Sequence, residues 1–174
     1  MADTAYTRIY HRGKIKREII YISYHDALTG LYNRRYFEEE INRLDTKRNY
    51  PLSIVFADVN GLKKTNDNHG HKKGDEILIK VAEIIESEFR SDDIIARIGG
   101  DEFVALLPKT KNEDSEKIVD RIKKKCSESY IDSIEISIAF GVDAKIESKQ
   151  NINDIIKNAE DKMYSDKSKN KTNK

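Results

Sequence analysis

Ile94-Ile95-Ala96-Arg97-Ile98 and Phe103-Val104-Ala105-Leu106-Leu107 are two apolar runs joined by Gly99-Gly100-Asp101-Glu102. Apolar runs of this length are typical of β-strands, and a glycine pair between two of them is typical of a hairpin turn. Because glycine adopts backbone angles that other residues avoid, we expect unusual φ and ψ values at Gly99 and Gly100. The pattern predicts a hairpin whose tip presents two carboxylates, Asp101 and Glu102, to solvent.

Hydrophobic periodicity around this hairpin predicts elements in the order α, β, α, β, β, α, β, α. Helices are expected at residues 31–44, 77–89 and 152–163, and a strand with alternating isoleucines at 134–138. The nearly continuous apolar run Leu52–Ala57 is typical of a strand that is covered on both faces or central in a sheet. Thr110 and Glu113 have capping-box spacing and predict the start of a further helix.

The order from Leu52 onward, β-α-β-β-α-β, is that of the split β-α-β unit. It predicts an α/β fold of the α+β, ferredoxin-like type, with a central, mainly antiparallel sheet. We expect the flanking helices to pack on one face of that sheet. A chain of 174 residues suits one such domain with a single core.

Composition excludes several classes of function. No apolar stretch approaches the roughly 20 residues that span a bilayer, and the first residues lack the apolar core of a signal peptide, so we expect a cytoplasmic location and no membrane contact by this segment. Lysine and arginine number 32 against 31 acids, which gives no reason to expect a nucleic-acid polymer as partner. The single cysteine, Cys126, is expected to be a buried helix residue without chemistry.

The first 25 residues differ in pattern from the rest of the chain. Ile15, Ile19 and Ile22 have helical spacing, but a coiled coil needs three or four sustained heptads and barely one is present. We predict a linker helix over residues 1–25 that comes from an upstream regulatory domain, followed by the folded domain over residues 26–174. A frayed terminus is the alternative interpretation.

The candidate chemistry lies in two segments that this fold brings together. One is the hairpin tip, and the other is Asp58-Val59-Asn60-Gly61-Leu62-Lys63, which follows the predicted central strand. Mg²⁺ prefers a few carboxylates together with phosphate oxygens, so Asp58 with Asp101 would suit a metal shared with a nucleotide. Solvated turn acids are the alternative, because aspartate and glycine are common in turns.

Three segments resemble motifs of one known family, the GGDEF domains or diguanylate cyclases. They are Arg97-Ile98-Gly99-Gly100-Asp101-Glu102-Phe103, Asp26-Ala27-Leu28-Thr29-Gly30-Leu31-Tyr32-Asn33-Arg34-Arg35 and Asn66-Asp67-Asn68-His69-Gly70-His71-Lys72-Lys73-Gly74-Asp75. The resemblance covers the chain from about Asp26 to its C-terminus. It implies a palm-like domain of the nucleotidyl cyclase type that condenses two GTP into cyclic di-GMP and releases two pyrophosphates.

The same resemblance implies a metal centre and its role in catalysis. Asp58, the carbonyl of Val59, Asp101 and Glu102 would hold two Mg²⁺ ions per active site, with Mn²⁺ as an alternative ion. Asp101 and Glu102 would be the catalytic acids, and Asp101 is the family's proposed proton acceptor. Two cations would neutralise the triphosphate and activate the attacking 3′ hydroxyl.

Substrate recognition follows from the resemblance as well. The N–H groups of Gly61 and Leu62 would face the phosphates, with positive charge from Lys63, Lys167 and Lys171. Guanine would be recognised by Asn66 and Asp75, with His71 close by. A carboxylate and an amide match the guanine edge and would leave buried groups unpaired against adenine.

A second set resembles the family's RxxD site for product inhibition. Arg90 and Asp93 precede the hairpin, and Arg121 on the next helix would assist. Guanidinium groups pair bidentately with phosphate or with a guanine edge. A helix C-terminus with surface charges is the alternative interpretation of Arg90 and Asp93.

The sequence therefore predicts a diguanylate cyclase that acts as a homodimer, because joining two nucleotides requires two active sites face to face. Asn60 stands where many members of the family have aspartate, and Lys171 replaces an arginine, so reduced activity is compatible with the sequence. The alternative is a catalytically silent module that binds GTP or cyclic di-GMP as a receptor. A polymerase palm is disfavoured because no template-binding region accompanies it.

Overall fold

The structure, a computed structural model, describes residues 18–172, and the side chains of residues 18–169. Residues 2–14 and Ile15, on which part of the linker prediction depends, lie outside this range. Within it, no helix is long and apolar enough to cross a bilayer. The elements are α1 (residues 18–24), β1 (Tyr32–Asn33), α2 (Arg34–Leu44), a 3₁₀ helix (Lys47–Asn49), β2 (Leu52–Val59), α3 (Leu62–His69), α4 (His71–Glu88), β3 (Ile94–Arg97), β4 (Glu102–Leu107), α5 (Asn112–Ser127), β5 (Tyr130–Ile131), β6 (Ile134–Glu135), β7 (Ile138–Lys145) and α6 (Ile152–Thr172).

A five-stranded sheet in the order β1-β3-β4-β2-β7 forms the centre of the domain. Only the contact of β1 with β3 is parallel, so the predicted mainly antiparallel α+β sheet is confirmed. Strands β3 and β4 form the predicted hairpin, and Asp58 of β2 lies opposite Glu102 of β4. The register therefore brings the two candidate acidic segments to the same end of the sheet.

Helices cover both faces of this sheet, and the prediction that they pack on one face is wrong. On one face, β2 residues such as Val55 and Ala57 pack against α4 and α5 through Val81 and Ile122. On the other face, Ile54 and Phe56 pack against α2 and α6, with Ile41 and Met163 in contact there. All eight residues of β2 are buried for this reason, as its unbroken apolar run indicates.

Two local predictions are corrected by the structure. The last sheet strand begins at Ile138, because Ile134–Glu135 pairs instead with Tyr130–Ile131 in a separate two-stranded hairpin. The capping box is absent, since Lys111 is the N-cap of α5 and the Thr110 hydroxyl donates to the Pro108 carbonyl. Helix α2 starts at Arg34, where the side chain of Asn33 accepts a hydrogen bond from the Tyr36 N–H and caps it.

Candidate active site and a second cleft

The hairpin tip is fixed to its neighbours by backbone and arginine contacts. The Val59 N–H donates to the Asp101 carbonyl at 3.0 Å, which ties the tip to the end of β2. Arg97 donates to Asp26 Oδ1 at 3.0 Å and to the Gly100 carbonyl at 2.7 Å. The turn that holds the carboxylates at the tip is therefore restrained by hydrogen bonds to its neighbours.

The expected unusual backbone at the glycine pair is wrong. Neither Gly99 nor Gly100 has a positive φ, whereas Gly61 does, at 74°. A Cβ at position 99 would meet only the end of the Glu102 side chain, which would have to shift. The left-handed backbone needed near the site belongs to Gly61, which turns the chain from β2 into α3.

Asp58 is the most buried acid of the site, at 3% exposure. Its Oδ1 atom lies 2.5 Å from the Lys167 ammonium of α6. Burial raises the pKa of the Asp58 carboxyl, the hydrogen bond from Lys167 opposes that shift, and the negative charges of Asp101 and Glu102 add to it. Three carboxylates from two chain segments thus lie close enough to influence one another, and the Lys167 ammonium contacts one of them, that of Asp58.

A cleft of about 470 Å³ adjoins this corner of the sheet. Helix α3 begins on its wall at Leu62, and the first N–H groups of a helix have no partner within it, which favours an anion there. Lys63 and Lys167 bring positive charge to the same wall. The lining residues are Val59, Gly61, Leu62, Lys63, Lys64, Asp67, Asn68, Asp101 and Lys167.

The donor atoms of this corner fit a hard cation that is shared with a ligand. Among residues 18–169, no group of three His, Cys, Asp or Glu side chains is arranged to hold a metal ion by itself. Asp58 nevertheless contacts a cation already, the Lys167 ammonium, and Asp101 and Glu102 act on the same carboxyl. Such a set suits Mg²⁺, which retains waters and takes phosphate oxygens as further ligands.

The predicted guanine-binding residues lie on α3 and α4 and do not line the 470 Å³ cleft. Asn66 is partly buried, and its Oδ1 atom has no hydrogen-bond partner among the described protein atoms. Gly74 makes room for this amide, because a Cβ at position 74 would overlap it. His71 and Asp75 are exposed and lie one helical turn apart on α4. The structure therefore separates the predicted phosphate-binding residues on the cleft wall from the predicted guanine-binding residues on α3 and α4.

A second cleft, of about 360 Å³, contains the predicted inhibitory pair. Arg90 and Asp93 both line it, together with His25 and Tyr32 from the N-terminal part of the domain. The Arg90 N–H donates to Asp93 Oδ2 at 2.8 Å, and the Arg90 side chain is exposed. Burial raises the pKa of Asp93, and the hydrogen bond from Arg90 opposes that shift. A buried acceptor and a free guanidinium thus face one cavity.

Two further residues singled out in the sequence contact groups outside the two clefts, and a third is not described. Arg121 does not line the second cleft; it donates to Glu88 Oε2 at 2.7 Å. The side chain of Lys171 lies outside the described residues. Asn60 Nδ2 donates to Ser137 Oγ at 3.0 Å, so its amide is bound beside the site by the residue that precedes strand β7.

Residues 23–173 match the family model for "Diguanylate cyclase, GGDEF domain". The chain belongs to the GGDEF family. The match confirms the resemblance of the three motifs and covers the hairpin, both clefts and helix α6.

Two curated relatives of this GGDEF domain are diguanylate cyclases by name. The chain is 33% identical over 160 residues to the bifunctional diguanylate cyclase/cyclic di-GMP phosphodiesterase MucR of Pseudomonas aeruginosa, covering 87% of this chain and 23% of MucR. It is 31% identical over 162 residues to diguanylate cyclase DgcM of Escherichia coli (strain K12), covering 90% of this chain and 39% of DgcM. The chain thus spans between about a quarter and two fifths of these relatives.

A solved structure has the same fold as this GGDEF domain. The coiled coil and GGDEF domain of DgcB from Caulobacter crescentus, in complex with c-di-GMP, superimposes with a TM-score of 0.87 at 20% identity. The superposition covers 96% of this chain and 92% of that chain. At this identity the likeness confirms the palm-like fold.

Sequence reasoning missed part of the cleft wall of the GGDEF domain. Lys64, Asp67 and Asn68 line the cleft beside Lys63, but helix α3 was not predicted because residues 62–69 have no apolar periodicity. The signal available was the pair Gly61 and Gly70, which bound the helix at both ends. Helical spacing of four residues then places Lys63 with Asp67 and Lys64 with Asn68.

Proposed function

We propose that this chain is a diguanylate cyclase that condenses two GTP into cyclic di-GMP and releases two pyrophosphates. The observation that carries the proposal is the buried Asp58 at the end of β2, opposite Glu102 and next to Asp101, at a cleft with three lysines on its wall. Acids with this arrangement hold cations between protein and phosphate. The activity named for MucR and DgcM supports the same reaction.

A divalent cation, Mg²⁺ or alternatively Mn²⁺, would be held by Asp58, the Val59 carbonyl, Asp101 and Glu102, two ions per site. When bound, the ions supply charge neutralisation for the triphosphate and acidify the attacking 3′ hydroxyl. Lys167 is 23% exposed in its side chain, so its ammonium can leave Asp58 for a phosphate oxygen. Asp101, which is partly exposed on the cleft wall, would accept the proton of the hydroxyl.

The chain's own groups would bind the two ends of GTP separately. Gly61, Leu62 and Lys63 line the cleft, and the N–H groups of the first two and the ammonium of the third would bind the phosphates. The guanine base would be bound by Asn66 and Asp75, with His71 nearby. The unpaired buried Oδ1 of Asn66 supports this assignment, since a guanine N–H would satisfy it and adenine offers a different edge.

Each domain would bind one GTP, so the reaction requires two copies of the domain with their clefts face to face. We infer a homodimer, which a linker helix over residues 1–25 and an upstream regulatory domain would control. Cyclic di-GMP would inhibit from the second cleft, where Arg90 and Asp93 face the same cavity. Arg121 would contribute only after releasing Glu88.

The test is the formation of cyclic di-GMP from GTP and Mg²⁺, detected by mass, with the concentrated chain and with its oligomeric state measured in parallel. Asp101→Ala is expected to abolish product, whereas Asp120→Ala, which removes an exposed acid on α5, is expected to leave it unchanged. Absence of product from a verified dimer would refute the enzyme. Nucleotide binding without product would then identify the silent receptor.

A further inference from the structure

Helix α6 binds the open edge of strand β7 with two side chains. β7 is an edge strand, so on the side away from β2 its backbone groups have no strand partner. Lys162 Nζ donates to the Val142 carbonyl at 2.7 Å, and Asp166 Oδ2 accepts from the Phe140 N–H at 2.9 Å. Alternate residues of a strand direct their backbone groups to the same side, and residues four apart on a helix share a face. The two contacts therefore form one clamp.

Glycine at position 141, between the two clamped residues, allows the helix to lie directly on the strand. A Cβ on Gly141 would overlap the backbone of Ala159 and Met163 in α6. Ala159 and Met163 are themselves fully buried against the sheet. Because both backbones meet at this point, sliding or rotation of α6 would break the contacts of Asp166 and Lys162 together.

Asp166 receives a second donor from a different helix. Lys123 Nζ of α5 lies 2.7 Å from Asp166 Oδ2, the same oxygen that accepts from Phe140. The Asp166 side chain is 24% exposed, so neither contact is fully solvated. One carboxylate thus joins α5, α6 and the edge of the sheet. Hydrogen bonds to a charged acceptor are about twice as strong as neutral ones.

The residue next to this junction is Lys167, whose ammonium contacts Asp58 at the candidate active site. Successive residues of a helix point about 100° apart, so a side chain bound to β7 at position 166 fixes the direction of the side chain at 167. We propose that Asp166 is a positioning residue for Lys167, which it holds over Asp58 and at the wall of the 470 Å³ cleft. The role in substrate binding rests on the proposed function, in which Lys167 binds a GTP phosphate.

The first test measures the dissociation constant of GTP with Mg²⁺ by calorimetry on the full chain. Lys167→Ala is expected to weaken binding about tenfold, and Asp166→Ala to reproduce most of that loss. Because Asp166 acts through Lys167, the double variant should bind no more weakly than Lys167→Ala alone. Asp166→Asn keeps an acceptor for the Phe140 N–H and should restore most of the affinity. Additive losses, or wild-type affinity in Asp166→Ala with only a lower melting temperature, would overturn the proposal.

The second test is independent of GTP. The rate at which an anhydride acylates the Lys167 amine is measured by peptide mass spectrometry, with the exposed Lys47 as internal reference. Asp166→Ala is expected to raise the Lys167 rate several-fold, and Asp161→Ala, an exposed acid on the same helix, is expected not to change it. An unchanged Lys167 rate in Asp166→Ala refutes the positioning role. If the rate responds but wild type does not bind GTP, it is the proposed cyclase function that fails.

Discussion

Asp58 and Asp93 are both buried carboxyls beside a cleft, at 3% and 9% exposure, yet their surroundings differ in kind. Asp58 has an ammonium on one oxygen and two further acids close enough to raise its pKa. Asp93 accepts a backbone N–H from Arg90 and has one exposed acid, Asp92, as its negative neighbour. Burial raises the pKa of both, so each carboxylate carries a desolvation cost that a bound ligand can offset.

The two sites lie at opposite ends of the hairpin strand β3. Asp93 directly precedes the strand and the turn that carries Asp101 follows it, and the four residues of the strand between them span about 13 Å at the usual rise per residue. Their different charges favour different ligands. A cluster of acids gains from cations, whereas a single acid beside an exposed guanidinium gains from a ligand that offers both donors and an anion.

The largest expected effect comes from Asp58→Asn. If the acid cluster is a cation site, turnover should fall by on the order of 10³-fold or more, because several kcal/mol of transition-state stabilisation depend on the cation. The measurement is the rate of cyclic di-GMP formation at saturating GTP and Mg²⁺. A variant that retains wild-type turnover would contradict the assignment of Asp58.

The same substitution should stabilise the fold at neutral pH. The pKa of Asp58 is raised on folding, so folding favours the protonated form and the ionised carboxyl costs stability above that pKa. Wild type should regain this stability as the pH falls through the raised pKa toward the ordinary 3.8. In the variant the amide oxygen at position 58 still accepts from the Lys167 ammonium. We expect a melting temperature about 2–4 °C above wild type at pH 7, the shift that corresponds to about 1 kcal/mol, and no advantage near pH 4. Asp120→Asn should show no such advantage.

Arg90→Ala tests the other end of β3. The guanidinium is exposed toward the second cleft, and hydrogen bonds to charged groups contribute about 1.5–3 kcal/mol. We therefore expect the dissociation constant of cyclic di-GMP, measured by calorimetry, to rise about 10- to 100-fold. Arg48→Ala, which removes an exposed arginine outside the cleft, serves as the matched control. Equal affinity in wild type and Arg90→Ala would show that the product does not bind there.

The elements that were predictable from sequence are those in which burial of one face, or of both faces, leaves a simple pattern of apolar residues. The apolar run of β2 and the stripe of α4 are confirmed because burial alone selects those residues. That same run, buried on both faces, already indicated helices on both sides of the sheet. The isoleucines at 134–138 alternate, but Ile134 belongs to a separate hairpin, and β7 is buried over residues 138–142 without alternation.

The candidate site was predictable where it depends on motifs and on the order of the strands, and not where it depends on a polar helix or on contacts across the sheet edge. Asp58, Asp101 and Glu102 meet because the register of β2 and β4 brings their segments together, as expected from the strand order. Helix α3 has polar residues on all sides and is defined by glycines at its ends, so periodicity does not reveal it. The contact of Asp166 with the β7 edge requires knowing that β7 is an edge strand and that α6 crosses it.

Asn60→Asp adds an acid next to Asp58 and so makes the acid cluster more unlike the surroundings of Asp93. The Asn60 amide now donates to Ser137 Oγ, and an aspartate would lose that donor and place a further negative charge beside a buried carboxyl. Without metal, the melting temperature should fall by about 2–4 °C, equivalent to about 1 kcal/mol. Millimolar Mg²⁺ should recover the loss, because a cation that binds only the folded state stabilises it. Asn42→Asp makes the same charge change on the exposed face of α2 and should show no recovery with Mg²⁺. If Asn60→Asp is equally destabilised with and without Mg²⁺, the acid cluster at Asp58 does not bind the cation. The cluster would then differ from the surroundings of Asp93 in its charge but not in its affinity for a cation.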